Sequence, residues 1–223
     1  MRNESESRLW SKPAAEREGT PLLVLLHGYG ANEADLFSLA EALPADFTVV
    51  SLRAGLAAGP GFAWFPLGPD GSGGLAYSVA DVQHAVTELL DWIDSVRVGH
   101  SSVSLLGFSQ GMVMASSAAR HRPDDFAAIV GLSGFVADSE PSDFFADEQL
   151  AARKLPFFWG RDQADPVVPQ ALVEYSNEWL NQHTALTKVL YTGIWHGISP
   201  AEIKHVGEFL TMSVLDQRAS LER

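Results

Sequence analysis

The sequence predicts an α/β domain built on a mainly parallel sheet, and two patterns predict it. Short continuous apolar runs such as Leu22-Leu23-Val24-Leu25-Leu26 carry no polar alternation, as expected of strands covered by helices on both faces. Between such runs, apolar residues recur every three or four positions, as in Val79, Val82, Val86, Leu89, Ile93 and Val96, which is the spacing of an amphipathic helix. Strands that alternate with helices build parallel sheets through right-handed crossovers.

Residues 1–18 form a polar start, mixing Arg2, Glu4, Glu6, Arg8, Lys12 and Glu16 with few apolar residues. This is neither the apolar stretch of a signal peptide nor a membrane anchor, and it is a candidate for an added edge strand. Residues 19–223 read as one domain, since a single core commonly serves a chain of this length. The run at Leu22 to Leu26 predicts a central strand that stops at His27-Gly28. Asn32 can cap the next helix, with Asp35 in its first turn and Leu36, Leu39, Ala40 and Leu43 as its buried stripe. Phe47 to Leu52 is the second strand.

From Ala54 to Gly74 the chain is rich in Gly and Pro and carries Phe62, Trp64 and Phe65. A loop of that length without secondary structure is uncommon in a compact domain and is usually functional or disordered. The long helix through Val79 to Val96 follows. Ser102 to Leu106 is the third strand, Ser109 to Arg120 a helix, and Phe126 to Leu132 the next strand. After a loop through Pro141 and Phe144-Phe145 come a strand at Phe157 to Trp159, a helix from Pro169 to Gln182 and a strand at Leu186 to Tyr191. Ser199-Pro200-Ala201-Glu202 opens the last helix with the cap, N1 proline and N3 glutamate of a capping box.

Composition excludes several classes of function. With 15 basic and 28 acidic residues the formal charge is −13, so a nucleic-acid backbone would meet a repelling surface. The chain contains no cysteine, which rules out thiolate catalysis and Cys-ligated metal. No apolar run approaches the ~20 residues of a membrane span, and a soluble cytoplasmic protein is the expectation. No His-Glu-x-x-His or clustered His/Asp pattern points to a metal. Gly71-Ser72-Gly73-Gly74 lacks the following Lys-Ser/Thr and the preceding strand of a phosphate-binding loop, and reads as a flexible loop.

The strongest chemical signal is Gly107-Phe108-Ser109-Gln110-Gly111, placed between a strand and a helix. That is the context of a nucleophile elbow, in which a tight turn lifts the serine hydroxyl above the sheet of an α/β-hydrolase. An alcohol is a weak nucleophile at neutral pH, so Ser109 needs a base, and the base needs a group that fixes its tautomer. In this fold the chain order is serine, acid, histidine. His196 lies in Gly193-Ile194-Trp195-His196-Gly197, past the last strand and before the final helix. The other histidines lie in or at the ends of predicted helices, except His27, which braces the first Gly-rich loop. For the acid, Asp162 and Asp165 compete. Asp165 precedes Pro166, which holds its backbone extended, and is the better choice, while Asp162 suits a loop-stabilising acceptor of backbone hydrogen bonds. The oxyanion donors expected are the backbone N–H of Gln110, after the nucleophile, and that of Tyr29, in His27-Gly28-Tyr29-Gly30.

Leu26-His27-Gly28-Tyr29-Gly30, Trp64, Gly107-Phe108-Ser109-Gln110-Gly111, Asp165-Pro166-Val167-Val168-Pro169 and His196-Gly197 occur in this order. Together they resemble the phospholipase/carboxylesterase family, which includes bacterial carboxylesterases and acyl-protein thioesterases, and the likeness spans nearly the whole domain. The resemblance implies a small α/β-hydrolase with no separate cap domain, no metal and no cofactor, acting on short to medium acyl esters or thioesters. Two departures bear on the acyl pocket. The thioesterases carry an Asp soon after His-Gly-Leu-Gly where this chain has Ala31-Asn32-Glu33, and an acidic residue often follows the aromatic pair where this chain has Trp64-Phe65-Pro66. Tyr29, Phe62, Trp64, Phe65 and Phe135 are the candidates to line that pocket, with core packing as the alternative for each. Aromatics of the 54–74 loop could equally serve a homodimer partner. Two other functions compete with the ester hydrolase: a peptidase or amide hydrolase on the same residues, and a catalytically silent module of the same fold that only binds.

Overall fold

A computed structural model describes residues 7–72, 74–138 and 143–217. The polar start up to residue 6, Gly73 of the glycine-rich run and Pro141 lie outside the described residues. The chain forms a seven-stranded sheet of β1 (Arg8–Trp10), β2 (Leu22–Leu26), β3 (Thr48–Leu52), β8 (Val103–Phe108), β9 (Ala128–Leu132), β10 (Pro156–Asp162) and β11 (Ala185–Tyr191). The strand order is β1-β3-β2-β8-β9-β10-β11. Every pairing is parallel except that of the edge strand β1 with β3.

The apolar runs bury both faces. In β2, Leu22, Val24 and Leu26 point into one core with helices α2 (Val79–Val96), α3 (Gln110–His121) and α5 (Gln170–His183). Leu23 and Leu25 point into the other, with α1 (Glu33–Phe37) and α6 (Pro200–Leu210). A short α4 (Asp147–Arg153) packs beside α3 through a bidentate pair of buried Arg120 with Asp147. Asn32 caps α1 by accepting from the Ala34 N–H, and Ser78 caps α2 from Asp81 N–H.

The 54–74 segment is more ordered than its composition predicts. It folds into two small hairpins, β4 (Leu56–Ala58) with β5 (Gly61–Ala63) and β6 (Gly68–Pro69) with β7 (Leu75–Ala76). Gly59 adopts a φ of +58° at the first turn, which glycine tolerates freely. Asp70 organises the second by accepting from the Ser72 and Gly74 N–H groups.

The final helix departs from the expected capping box. Ser199 Oγ accepts from the Glu202 N–H, but the Glu202 carboxylate returns no bond. It is fully buried instead, over Gly160, where a Cβ would come within 2.2 Å of it, and neither of its oxygens has a partner among the described residues. Burial pushes this carboxyl up to about 7. Between about pH 4.5 and 7 the unfolded chain therefore releases a proton that the folded chain keeps, so stability falls as pH rises through that window. Glu202→Gln is expected to remove this dependence and to be about 1–3 kcal/mol more stable than the native chain at pH 8, but not at pH 4. Urea unfolding at both pH values checks it, and an unchanged difference between pH 4 and 8 in the variant would count against it.

Candidate active site

Three parallel strands deliver the predicted residues to one edge of the sheet. Ser109 follows β8, Asp165 follows β10 and His196 follows β11, all at carboxyl ends, where open α/β sheets bind their ligands. His196 Nε2 lies 3.0 Å from Ser109 Oγ, and His196 Nδ1 lies 2.9 Å from Asp165 Oδ2. A carboxylate only accepts, so Nδ1 carries the proton and Nε2 offers its lone pair to the Ser109 hydroxyl. The Asp165 side chain is fully buried, which alone would raise its carboxyl. Hydrogen bonds from His196 and from the Val167 and Val168 N–H groups outweigh that and hold it below the usual carboxylate range.

Ser109 has φ 52° and ψ −115°, a strained conformation for a residue with a side chain, costing about 1–3 kcal/mol. The surrounding glycines explain how the turn is possible. A Cβ on Gly107 would fall 2.0 Å from the Gly111 carbonyl oxygen, and one on Gly111 would fall 1.9 Å from that of Leu26. Ser109 N–H donates to Leu132 O, fixing the turn to the end of β9.

Tyr29 and Gln110 have backbone N–H groups with no hydrogen-bond partner among the described residues. The Tyr29 loop lies against the serine, since a Cβ on Gly28 would be 3.4 Å from Ser109 Cβ and 3.0 Å from the Phe108 ring. The Phe108 ring in turn packs on the His196 imidazole, with centroids 5.2 Å apart. A hydroxyl bonded to an imidazole nitrogen, beside the N–H of Tyr29 in the loop after β2 and that of Gln110 at the start of α3, can attack a carbonyl and hold the resulting oxyanion.

Several supporting contacts are not evident from the motifs. Gln110 uses its buried side chain to accept from the Trp64 N–H and donate to Phe65 O, tying the aromatic segment to the elbow. Trp64 Nε1 donates to His27 O. His27 is itself buried and its Nε2 accepts from Ala54 N–H, so Nδ1 donates to Gly28 O, and burial lowers its pKa. Asp162 accepts from Ala164 N–H with one oxygen and from Ile194 and Trp195 N–H with the other, bracing the loop that presents His196. These bonds, that of Ala164 foremost, hold its carboxyl low. Trp195, at φ 53°, is kept by this brace in the left-handed region.

Two of the pocket candidates require correction. Phe65 and Phe135 are 1% and 2% exposed and belong to the core, where the Tyr77 ring packs between them and Gln110 holds the Phe65 carbonyl. Tyr29 is 51% exposed, while Phe62 and Trp64 are half-buried. A cleft of about 490 Å³ touches Trp64 and Phe65 from the α2 side, and none of Ser109, Asp165 and His196 lines it. Among the described residues no helix is long and apolar enough to cross a membrane.

The parallel sheet, the elbow at the end of β8 and the loops after β10 and β11 define the α/β-hydrolase fold. Residues 13–214 match the phospholipase/carboxylesterase family, and the chain belongs to that family. It is 25% identical over 146 residues to acyl-protein thioesterase 1 of Saccharomyces cerevisiae, covering 64% of this chain and 62% of that protein. It is 26% identical over 170 residues to a 1-acylglycerol-3-phosphate O-acyltransferase of Arabidopsis thaliana, covering 73% of this chain and 37% of that one. The chain thus spans less than two thirds of the length of either curated relative. The Bacillus cereus carboxylesterase structure superposes with a TM-score of 0.76 at 21% identity, covering 92% of this chain and 93% of that one.

Proposed function

We propose that this protein hydrolyses carboxylic esters or thioesters of short to medium acyl chains through an acyl-enzyme on Ser109. The observation that carries the reading is the continuous hydrogen-bonded series Ser109, His196, Asp165, with a strained serine and two free N–H groups beside it. Ser109 Oγ attacks the acyl carbonyl as His196 Nε2 takes its proton, and Asp165 holds the imidazolium that forms. The oxygen of the tetrahedral intermediate bonds to the Tyr29 and Gln110 N–H groups. His196 returns the proton to the departing alkoxide or thiolate, then draws one from water as it attacks the acyl-enzyme, which frees the acid and Ser109.

Exposed apolar side chains on the same loops supply the surface for an acyl chain: Tyr29 after β2, Val167 beside Asp165, and Trp195, 60% exposed, beside His196. Phe62 and Trp64 form the adjoining wall. Gln110 and His27 anchor Trp64, which holds that wall in place.

The test is hydrolysis of p-nitrophenyl esters from acetate to dodecanoate at pH 8 with chelator present, alongside labelling by a fluorophosphonate and peptide mapping. Release of p-nitrophenol, a chain-length optimum and one label on the Ser109 peptide are expected. A protein unreactive to both reagents would establish the silent binding module instead, and cleavage of p-nitroanilides without esters would establish an amide hydrolase.

A further inference from the structure

On the α5 side of the sheet a polar cleft of about 330 Å³ opens between that helix and strands β10 and β11, and none of the residues proposed for the reaction lines it. Its floor follows from strand alternation. Trp159 and Arg161 project to the same face of β10, and Lys188 of β11 is the register partner of Trp159. The Trp159 indole lies beneath both cations, 5.7 Å from the Arg161 guanidinium carbon and 4.9 Å from Lys188 Nζ.

Neither cation is in contact with a carboxylate among the described residues, although the Arg161 side chain is largely buried. Arg161 is 6% exposed, yet its guanidinium makes no hydrogen bond or ion pair among the described residues beyond its contact with the Trp159 ring. The other buried arginine shows the ordinary solution: Arg120 is held by both oxygens of Asp147 and by Ala137 O. The carboxylates that act on Arg161 from a distance are Asp165 and Asp162. All of their oxygens already accept from other groups, Asp165 from His196, Val167 and Val168, and Asp162 from Ala164, Ile194 and Trp195. Lys188 has a neutral partner, Asn177 Oδ1 at 2.6 Å, and Glu174 at the rim accepts from Gln170 Nε2. In a chain with 28 acidic residues and 15 basic ones, two neighbouring cations without a carboxylate contact are unusual.

We propose that this cleft binds a small oxyanion, a carboxylate or a phosphate-type group, between the Arg161 guanidinium and the Lys188 ammonium. The planar guanidinium presents a fork of donors to two oxygens, and the ammonium supplies a third charge-assisted bond. Trp159 excludes water from beneath, so the attraction is screened less than at an open surface. Gln163 and Gln170 border the same cleft and offer amide donors for remaining lone pairs. The bound group is separate from the ester being cleaved, so the site admits a second ligand or an acidic group carried by a partner molecule.

Calorimetric titration with inorganic phosphate and, separately, with malonate tests this, at an ionic strength held constant with sodium chloride. Saturable one-site binding of at least one of them to the native chain is expected, weakened roughly tenfold or more in Lys188→Ala and in Arg161→Gln, as loss of a charge-assisted bond predicts. Binding of phosphate alone would assign a phosphate-type ligand, and binding of malonate alone a carboxylate. Lys188 is exposed, so its variant keeps the core intact and carries the test should Arg161→Gln not fold. Absence of saturable binding by either anion, or equal affinity in Lys188→Ala and the native chain, would overturn the proposal, whatever the esterase assay shows.

Discussion

Ser109→Ala is expected to lower kcat/KM toward a p-nitrophenyl ester by about 10⁴-fold or more, with the fold unchanged. The variant removes Oγ, the atom bonded to His196 Nε2, and leaves every backbone bond of the elbow in place. Alanine carries the same Cβ as serine and so bears the same φ 52° strain, and Gly107 and Gly111 still make room for the turn. The melting temperature should therefore move by only a few degrees, which separates loss of chemistry from loss of structure. Residual turnover above the uncatalysed rate is expected, because the Tyr29 and Gln110 N–H groups still meet the substrate oxygen. Steady-state kinetics and thermal melting of the same preparation check both halves. Turnover within tenfold of the native protein would remove Ser109 from the reaction.

Asp165→Asn should cost about 10³- to 10⁴-fold in kcat, by a route that depends on one proton. In the native protein Oδ1 accepts from the Val167 and Val168 N–H groups while Oδ2 accepts from His196 Nδ1–H. An asparagine carbonyl oxygen takes over the two backbone bonds, since an amide NH₂ cannot accept them, and the NH₂ then faces Nδ1. His196 must switch tautomer to accept there, which places its proton on Nε2 and leaves Ser109 without a base. The rate should fall with little change in KM, because the substrate-facing loops stay where they are. A fall in KM affinity with kcat preserved would mean that Asp165 only holds the loop. The native carboxyl also links folding to pH. Its folded value lies below the ordinary one, so the stability it contributes is present above about pH 4 and is lost as pH falls through the folded value.

Much of this architecture was legible because it is local. The run Leu22 to Leu26 has no alternation, and the structure buries its residues alternately in two cores. Gly-Phe-Ser-Gln-Gly carries its own geometry, since the elbow strains Ser109 and leaves no room for a Cβ at either glycine. The pairing of Asp165, and not Asp162, with His196 agrees with the reading from the Asp165-Pro166-Val167-Val168 sequence. What misled was composition read alone. The glycines of 54–74 suggested an unstructured loop, but Gly59 and Gly71 sit at hairpin turns, and the aromatic residues there divide between core and surface. Glu202 has the spacing of a capping box, yet Gly160 on another strand opens a space that draws its carboxyl inward.

The sequence by itself determined the main alternation of strands and helices, though not α4 or the two small hairpins, together with the elbow and which serine, histidine and aspartate could come together, because each depends on periodicity, backbone sterics or spacing within a few residues. Only the tertiary structure decided which side chains support them. The Gln110 bonds to the Trp64 segment span 46 residues or nearly so, the Asp162 bonds to the His196 loop span 32 and 33, and Arg161 is left without a carboxylate by commitments made elsewhere in the fold. Such partners are chosen by the packing of distant strands and loops, where each buried donor and acceptor must be satisfied by whatever the sheet brings beside it.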